Sequence, residues 1–115
     1  MELVEEATEE MTVVAVAGRL DTRSAGQFSS RLDALLEAGQ IRLLIEASGL
    51  RYISSVGLRA LLVASRVASD KGGQLALYGM SPAVRQVVEL TGLAPLFNVC
   101  NSREEGVAHL SHSNR

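Results

Sequence analysis

The chain alternates between short β-branched segments and amphipathic segments with helical spacing, and this alternation limits the folds that it can adopt. Residues 11–17 (MTVVAVA) are β-branched and free of charge, which is typical of a buried central strand. Further strands are predicted over residues 2–7, 41–46, 74–78 and 97–99, and residues 47–53 are predicted to form a loop after the third strand. Gly18 to Asp21 are predicted to form the turn that ends the central strand.

Four helices are predicted beside these strands. The first has Asp21 or Thr22 as its N-cap and ends at Gly39, the second covers residues 55–69, the third starts at the Ser81-Pro82 pair, and the last covers residues 102–110. Strands that alternate with helices require crossover connections, so we expect an α/β fold with a single mixed sheet of about five strands. The sheet should be mostly parallel, with the first two strands forming an edge hairpin. One domain is expected over residues 1–111, followed by a disordered tail over 112–115.

Composition narrows the classes of function. The chain has 115 residues, of which 47% are hydrophobic, so one aliphatic core can form. Only 3% are aromatic and none is Trp, which leaves few platforms on which bases or sugars could stack. The net charge is −2 and the basic residues are scattered along the chain. These features exclude nucleic acid as an expected partner.

The sequence also predicts a protein without membrane insertion, metal or cofactor. No apolar run is long enough to cross a bilayer, and the N-terminus carries acidic residues where a signal peptide would be basic. Cys100 is the single cysteine, and it does not share metal-ligand spacing with His109 and His112. A reduced, cytoplasmic location is expected.

The most informative local feature is the serine pair Ser54-Ser55, which lies where an apolar strand and loop pass into a helix. Backbone N–H groups at a helix start lack partners, so a phosphate placed there would be well accommodated. A helix cap is the simpler explanation, because one serine at this position contributes about 0.5–2 kcal/mol. Two serines followed by Gly57, which costs a helix about 1 kcal/mol relative to Ala, suggest that something approaches the backbone.

Helical rotation from Ser55 places Arg59, Leu62 and Arg66 on one stripe. The stripe should face solvent, because the opposite side carries the apolar residues predicted to be buried: Val56, Ala60, Val63, Ala64, Val67 and Ala68. A hydroxyl, two guanidiniums and a Leu on one exposed stripe are typical of a protein-binding surface with a phosphate switch.

Two other functions are weaker explanations of the serine pair. A hydrolase would need the Gly-x-Ser-x-Gly elbow, and neither serine has a glycine two residues before it. A nucleotide-binding module would need a glycine-rich phosphate loop, and Gly72-Gly73 is explained by a simple turn between a helix and a strand.

Three segments together resemble the STAS domains of bacterial anti-sigma factor antagonists, and the similarity covers about residues 4–110. The segments are Gly18-Arg19-Leu20-Asp21, the block from Ser48 to Leu58, and Ser81-Pro82-Ala83-Val84 through Leu90-Thr91-Gly92-Leu93. In that family the serine that follows an Asp is phosphorylated by a partner that is both a serine kinase and an anti-sigma factor. The matching residue is Ser55, while Ser54 stands at the position of the Asp and Val56 replaces a hydroxyl residue.

The resemblance implies a non-enzymatic antagonist that binds the anti-sigma factor kinase and thereby releases a sigma factor. Phosphorylation of Ser55 would break the complex, and a PP2C-type phosphatase would restore it. Ser54 is the alternate acceptor or the helix cap. The alternative within the family is a docking subunit of a lipid-transport or other signalling complex without a kinase cycle. The expected partner-binding residues are Asp21, Thr22, Ser54, Ser55, Val56, Gly57, Arg59, Leu62 and Arg66.

Overall fold

The computed structural model describes residues 1–112. Five strands and four α-helices alternate along the chain, as predicted. The elements are β1 (Glu2–Ala7), β2 (Thr12–Leu20), α1 (Ala25–Glu37), β3 (Arg42–Ile53), α2 (Ser55–Asp70), β4 (Gln74–Tyr78), α3 (Pro82–Leu90), a 3₁₀ turn (Ala94–Phe97), β5 (Val99–Cys100) and α4 (Arg103–His112).

The five strands form one mixed sheet in the order β1-β2-β3-β4-β5. The first two strands are antiparallel and form the edge hairpin, and all other neighbours are parallel. At the hairpin turn the Thr8 hydroxyl donates to the Met11 carbonyl at 3.1 Å and accepts from the Met11 N–H. The predicted fold class is confirmed.

The second and third strands are longer than the sequence indicated. The predicted turn at Gly18–Arg19–Leu20 is wrong, because these residues continue β2, with Gly18 at φ +102° beside a shift in register. The predicted loop over residues 47–53 is also wrong, because it belongs to β3. The two extensions pair with each other, from Ala17 with Gly49 to Leu20 with Ile53, beyond the end of β4. Each extension provides the backbone hydrogen-bond partners of the other. The residue pattern of one segment cannot predict a strand that depends on a distant segment in this way.

Several boundaries near the chain's turns also differ from the prediction. Helix α1 begins at Ala25 with Ser24 before it, so neither Asp21 nor Thr22 is its N-cap. The last strand is Val99–Cys100, because the residues before it form the 3₁₀ turn. Helix α4 extends to His112, the first residue of the predicted tail. The rest of that predicted tail, residues 113–115, lies outside the described residues.

The two faces of the sheet carry separate cores. The larger core lies under α1 and α2 and includes the fully buried Phe28 and Leu43. The smaller core lies under α4 and includes Leu44 and Leu110. Neighbouring residues of a strand point to opposite faces, so α2 and α4 lie on opposite sides of the sheet. The expected aliphatic core is therefore divided between two layers of helix.

Candidate functional site

The carboxyl ends of β2 and β3 bring distant residues together. Leu20 pairs with Ile53 across these parallel strands, and the Ser54 N–H donates to the Leu20 carbonyl at 2.9 Å. Asp21 directly follows β2 and Ser54 directly follows β3. The structure therefore places Asp21 beside the serine pair, at the carboxyl ends of these two strands.

The first serine of the pair is the cap of α2. Ser54 is half-buried, and its hydroxyl accepts a hydrogen bond from the Gly57 N–H at 3.1 Å. Its carbonyl accepts from the Leu58 N–H at 2.9 Å. Its backbone is extended, with φ −95° and ψ 172°, as is usual for an N-cap. The capping requirement of the helix start is thus met by Ser54.

The second serine lies one position further into the helix and is exposed. Ser55 is the first residue of α2, and its side chain is not part of the cap. The N-terminal end of a helix carries a partial positive charge and N–H groups that favour an anion. A phosphate on Ser55 would therefore sit in solvent at a favourable position, without the cap having to be broken.

The Asp21 carboxylate is held by a turn over residues 21–24. Its Oδ1 accepts hydrogen bonds from the N–H groups of Arg23 at 3.0 Å and Ser24 at 3.3 Å, and from the Ser24 hydroxyl. The turn closes with a hydrogen bond from the Ala25 N–H to the Asp21 carbonyl. Desolvation raises the pKa of the Asp21 carboxyl, but these hydrogen bonds outweigh it and the pKa lies below the ordinary value. Thr22, in the same turn, is exposed.

An arginine and a tyrosine stack beside this turn. The Arg19 guanidinium lies 4.1 Å from the centre of the Tyr52 ring, and its Nε is 3.6 Å from Asp21 Oδ2. Tyr52 is 40% exposed. Arginine and tyrosine are enriched at protein interfaces because they offer large contact areas with polar ends. Sequence reasoning missed this pair, since its two residues meet only through the pairing of β2 and β3.

Helix α2 is rotated relative to the predicted stripe. Arg59 and Arg66 are exposed as expected, but Leu62 is half-buried and packs against the larger core. The exposed apolar residues are instead Val56 and Val63, at 42% and 46%. Both valines were predicted to be buried, and that prediction is wrong. The buried residues of the helix are Gly57, Leu58, Ala60, Leu61, Ala64 and Ala68.

A shallow groove of about 280 Å³ runs between α1 and α2, and its lining includes Val56, the residue after Ser55. Val56 and Val63 lie on its α2 side, and Gly26 lies on its α1 side. Asp33 and Arg59 add one charge of each sign. The contribution of α1 to this surface was not predicted. The one local signal for it is Gly26, a residue without a side chain near the start of an amphipathic helix.

Gly57 has an internal role that differs from the predicted one. A Cβ at this position would lie 2.7 Å from Leu20 Cγ and 2.8 Å from the Leu20 carbonyl oxygen. The residue is buried. Glycine therefore allows α2 to pack closely on the end of β2, and the interpretation of Gly57 as a point where a partner approaches the backbone is corrected.

The residues considered for other chemistry lie apart from this site. Cys100 is buried, and desolvation together with the charge of Glu105 raises the pKa of its thiol. His109 lies on α4, across the sheet from the serine pair. Among residues 1–112, no three His, Cys, Asp or Glu side chains are grouped as metal ligands. Nor does any helix within that range have the length and apolar character needed to cross a membrane.

The geometry defines an α/β domain in which a capped helix start presents an unengaged serine next to a fixed carboxylate. The family model described as "Mlab, STAS domain" matches residues 3–98. The chain is 32% identical over 108 residues to BtrV, a candidate anti-sigma factor antagonist of Bordetella bronchiseptica, covering 94% of this chain and 93% of BtrV. This chain belongs to the STAS domain family of anti-sigma factor antagonists, as the sequence predicted.

Solved structures share the fold. A candidate anti-sigma factor antagonist from Thermotoga maritima superposes with a TM-score of 0.87 at 19% identity, over 94% of this chain and 93% of that chain. The anti-sigma factor antagonist SpoIIAA in its unphosphorylated form gives 0.78 at 24% identity, over 94% of both chains. The phosphorylated form of Bacillus SpoIIAA gives 0.73 at 22% identity, over 94% of this chain and 98% of SpoIIAA.

Proposed function

We propose that this chain is a cytoplasmic, non-enzymatic antagonist that binds a serine-kinase anti-sigma factor and so releases a sigma factor. Phosphorylation of Ser55 would switch it off, and a PP2C-type phosphatase would restore it. The observation that carries the proposal is that the two serines of the pair have different roles. Ser54 is occupied as the cap of α2, while Ser55 is exposed at the first helical position.

The replacement of the family's acidic residue by Ser54 is compatible with this switch. Serine and aspartate are both good N-caps, so the helix start keeps its geometry when one replaces the other. The replacement removes one negative charge from the residue next to Ser55. The carboxylate of Asp21, which the turn over residues 21–24 holds in place, remains at the same end of the sheet as the serine pair.

A phosphate on Ser55 would act on the partner rather than on the fold. It would add close to two negative charges at an exposed helix N-terminus, where the helix dipole favours them. A partner packed on this surface would meet a new, strongly hydrated charge that it must pair or reject. SpoIIAA, which shares this fold, is known in both unphosphorylated and phosphorylated forms.

The direct test is phosphate transfer. The protein is incubated with ATP and a purified anti-sigma factor kinase from the same organism, and mass spectrometry locates the added phosphate. We expect one phosphate on Ser55, none in Ser55→Ala, and continued labelling of Ser55 in Ser54→Ala. A phosphate found on Ser54 in the unaltered protein would contradict the assignment of the acceptor.

Binding of the same kinase tests the switch. Ser55→Ala should bind as the unmodified protein does, and Ser55→Asp should bind more weakly while keeping its circular dichroism spectrum. Equal binding of the two variants would refute the switch.

The alternative is a docking subunit of a lipid-transport or other signalling complex without a kinase cycle. The presence of Ser54 where the family carries an acidic residue favours this alternative, because that acidic residue belongs to the phosphorylation signature. The same surface of α2 would then bind a partner permanently. Stable partner binding without phosphate transfer by any anti-sigma factor kinase of the organism would support it.

A further inference from the structure

Cationic side chains are concentrated around the proposed switch. Four exposed arginines lie at or just beyond the carboxyl ends of β2 and β3, and we call them the arginine rim: Arg19, Arg23, Arg51 and Arg59. The Arg19 side chain is 60% exposed although it contacts Asp21 and Tyr52. The Asp21 carboxylate is committed to the turn and to Arg19. The rim therefore presents more positive than negative charge to solvent.

The opposite end of the molecule carries acidic residues. Helices α1 and α2 run away from the rim and finish near Glu37 and Asp70. The hairpin turn at that end carries Glu9 and Glu10, so the acidic residues there outnumber the basic Arg42 and Lys71. The N-terminal ends of α1 and α2 point towards the rim and add partial positive charge there. A chain with a net charge of −2 thus has a positive end, and that end holds Ser55.

An apolar surface adjoins the arginine rim. The groove between α1 and α2 carries the exposed side chains of Val56 and Val63, and open space lies above Gly26. Arg59 lies both in this groove and on the rim. Exposed valines next to the charged Arg59 and Asp33 have the composition of a protein interface, in which an apolar centre is surrounded by charged residues.

We propose that the arginine rim and the α1–α2 groove dock an acidic, partly aliphatic face of the anti-sigma factor, and that Arg59 couples this docking to the phosphorylation of Ser55. The inference rests on the proposed function and adds the chemistry of the partner. Partner carboxylates pair with the rim in the unphosphorylated state. Arg59 lies four residues after Ser55 on the same helix, so a phosphate on Ser55 forms an ion pair with this guanidinium. Arg59 is then no longer available to the partner's carboxylates, and the phosphate also repels them.

The test is the affinity of the purified anti-sigma factor kinase, measured by calorimetry between about 50 and 300 mM NaCl. We expect the affinity to fall several-fold as salt rises, because solvent-accessible charge pairs are screened. Arg59→Gln should weaken binding about two- to five-fold at low salt, as for one accessible ion pair, and should reduce the salt dependence. The matched control is Arg103→Gln, an equal loss of charge on α4, where the guanidinium contacts Glu6. It should bind as the unaltered protein does.

The groove is tested with a second matched pair. Val63→Ser removes an exposed valine from the groove, and Val87→Ser removes a valine of similar exposure, 39%, from α3. We expect weaker binding for Val63→Ser alone. In a double-mutant cycle, Ser55→Asp should weaken binding less in the Arg59→Gln background than in the unaltered protein, because part of its effect acts through Arg59.

The outcomes separate this inference from the proposed function. Tight binding that neither salt nor Arg59→Gln changes would overturn the acidic docking face and leave the antagonist function intact. Absence of any binding at low salt would overturn both. If vesicles of anionic phospholipid bound the rim in place of the kinase, or if the rim instead drove salt-sensitive self-association, the assignment of the rim to an acidic protein face would likewise be wrong.

Discussion

Gly57→Ala is the substitution that most directly tests how α2 is seated on the sheet. The new methyl would lie 2.8 Å from the Leu20 carbonyl oxygen and 2.7 Å from Leu20 Cγ, both closer than real Cβ contacts come. The side chain of Leu20 could adjust, but its carbonyl is fixed, because it accepts the Ser54 N–H at 2.9 Å. Relief of the contact requires α2 to move away from β2, at the position where the site is assembled.

Two opposing effects set the magnitude. Alanine is favoured over glycine in a helix by up to about 1 kcal/mol. Added methyl groups in a well-packed core cost about 1–3 kcal/mol. Because the contact is to backbone, we expect the cost to win, with a net loss of about 1–2 kcal/mol. A change of this size lowers the melting temperature of a domain of this length by roughly 4–8 °C.

The chain supplies a matched control in Gly26→Ala. Gly26 also lies in the first turn of a helix, but a Cβ there would meet nothing within 4 Å. This variant should be as stable as the unaltered protein or more stable, by up to about 1 kcal/mol. Urea unfolding followed by circular dichroism gives both free energies of unfolding from the midpoint and the slope. Equal stability of the two variants would refute the packing argument for Gly57.

Three further predictions follow from the same contacts. Ser54→Ala should lower the free energy of unfolding in urea by about 0.5–2 kcal/mol, because the Gly57 N–H loses its acceptor; no loss would show that Ser54 is not the effective cap. The hydrogen bond and charge of Arg31 hold the pKa of Glu5 below its ordinary value of 4.5, despite some desolvation. The ion pair therefore stabilises the folded state fully above pH 4.5, and this stabilisation is lost as the pH falls through the lowered pKa. Melting curves should therefore show a difference between Arg31→Gln and the unaltered protein at neutral pH that shrinks in acid, and a constant difference would contradict this. Ser55→Asp should melt at or slightly above the temperature of Ser55→Ala, because the negative charge is favoured at the first helical position; a lower melting temperature would contradict the exposed, dipole-favoured placement.

Local patterns predicted the elements of the fold but misplaced some of their ends. The Ser81-Pro82 helix start and the strand Gln74–Tyr78 were found where they were predicted, since each is specified by its own residues. The extensions of β2 and β3 were missed because they are stabilised by each other. Their pairing is also what places Asp21 next to Ser54, so the largest error in the prediction of the fold lies at the candidate site.

The orientation of α2 was a second limit. Helical spacing identified one apolar side, and several neighbouring rotations of the helix fit it almost equally well. Ala60 and Ala64 are the buried residues on the α1 side of α2, and Val56 and Val63 lie beside them in the groove, while Leu62 packs against the core. The exposed valines and the groove follow from a helix pair that no single segment specifies.

The sequence by itself determined the α/β class, the family, and the helix start that carries a serine pair, because these depend on residues close together in the chain. Only the tertiary structure decided which serine is the cap and which is exposed, why Gly57 has no side chain, and that Arg19, Tyr52 and Asp21 meet at the ends of β2 and β3. The physical reason is that these relations depend on the pairing of two parallel strands about thirty residues apart and on the seating of one helix against their ends. Contacts of that range are made by the folded chain as a whole.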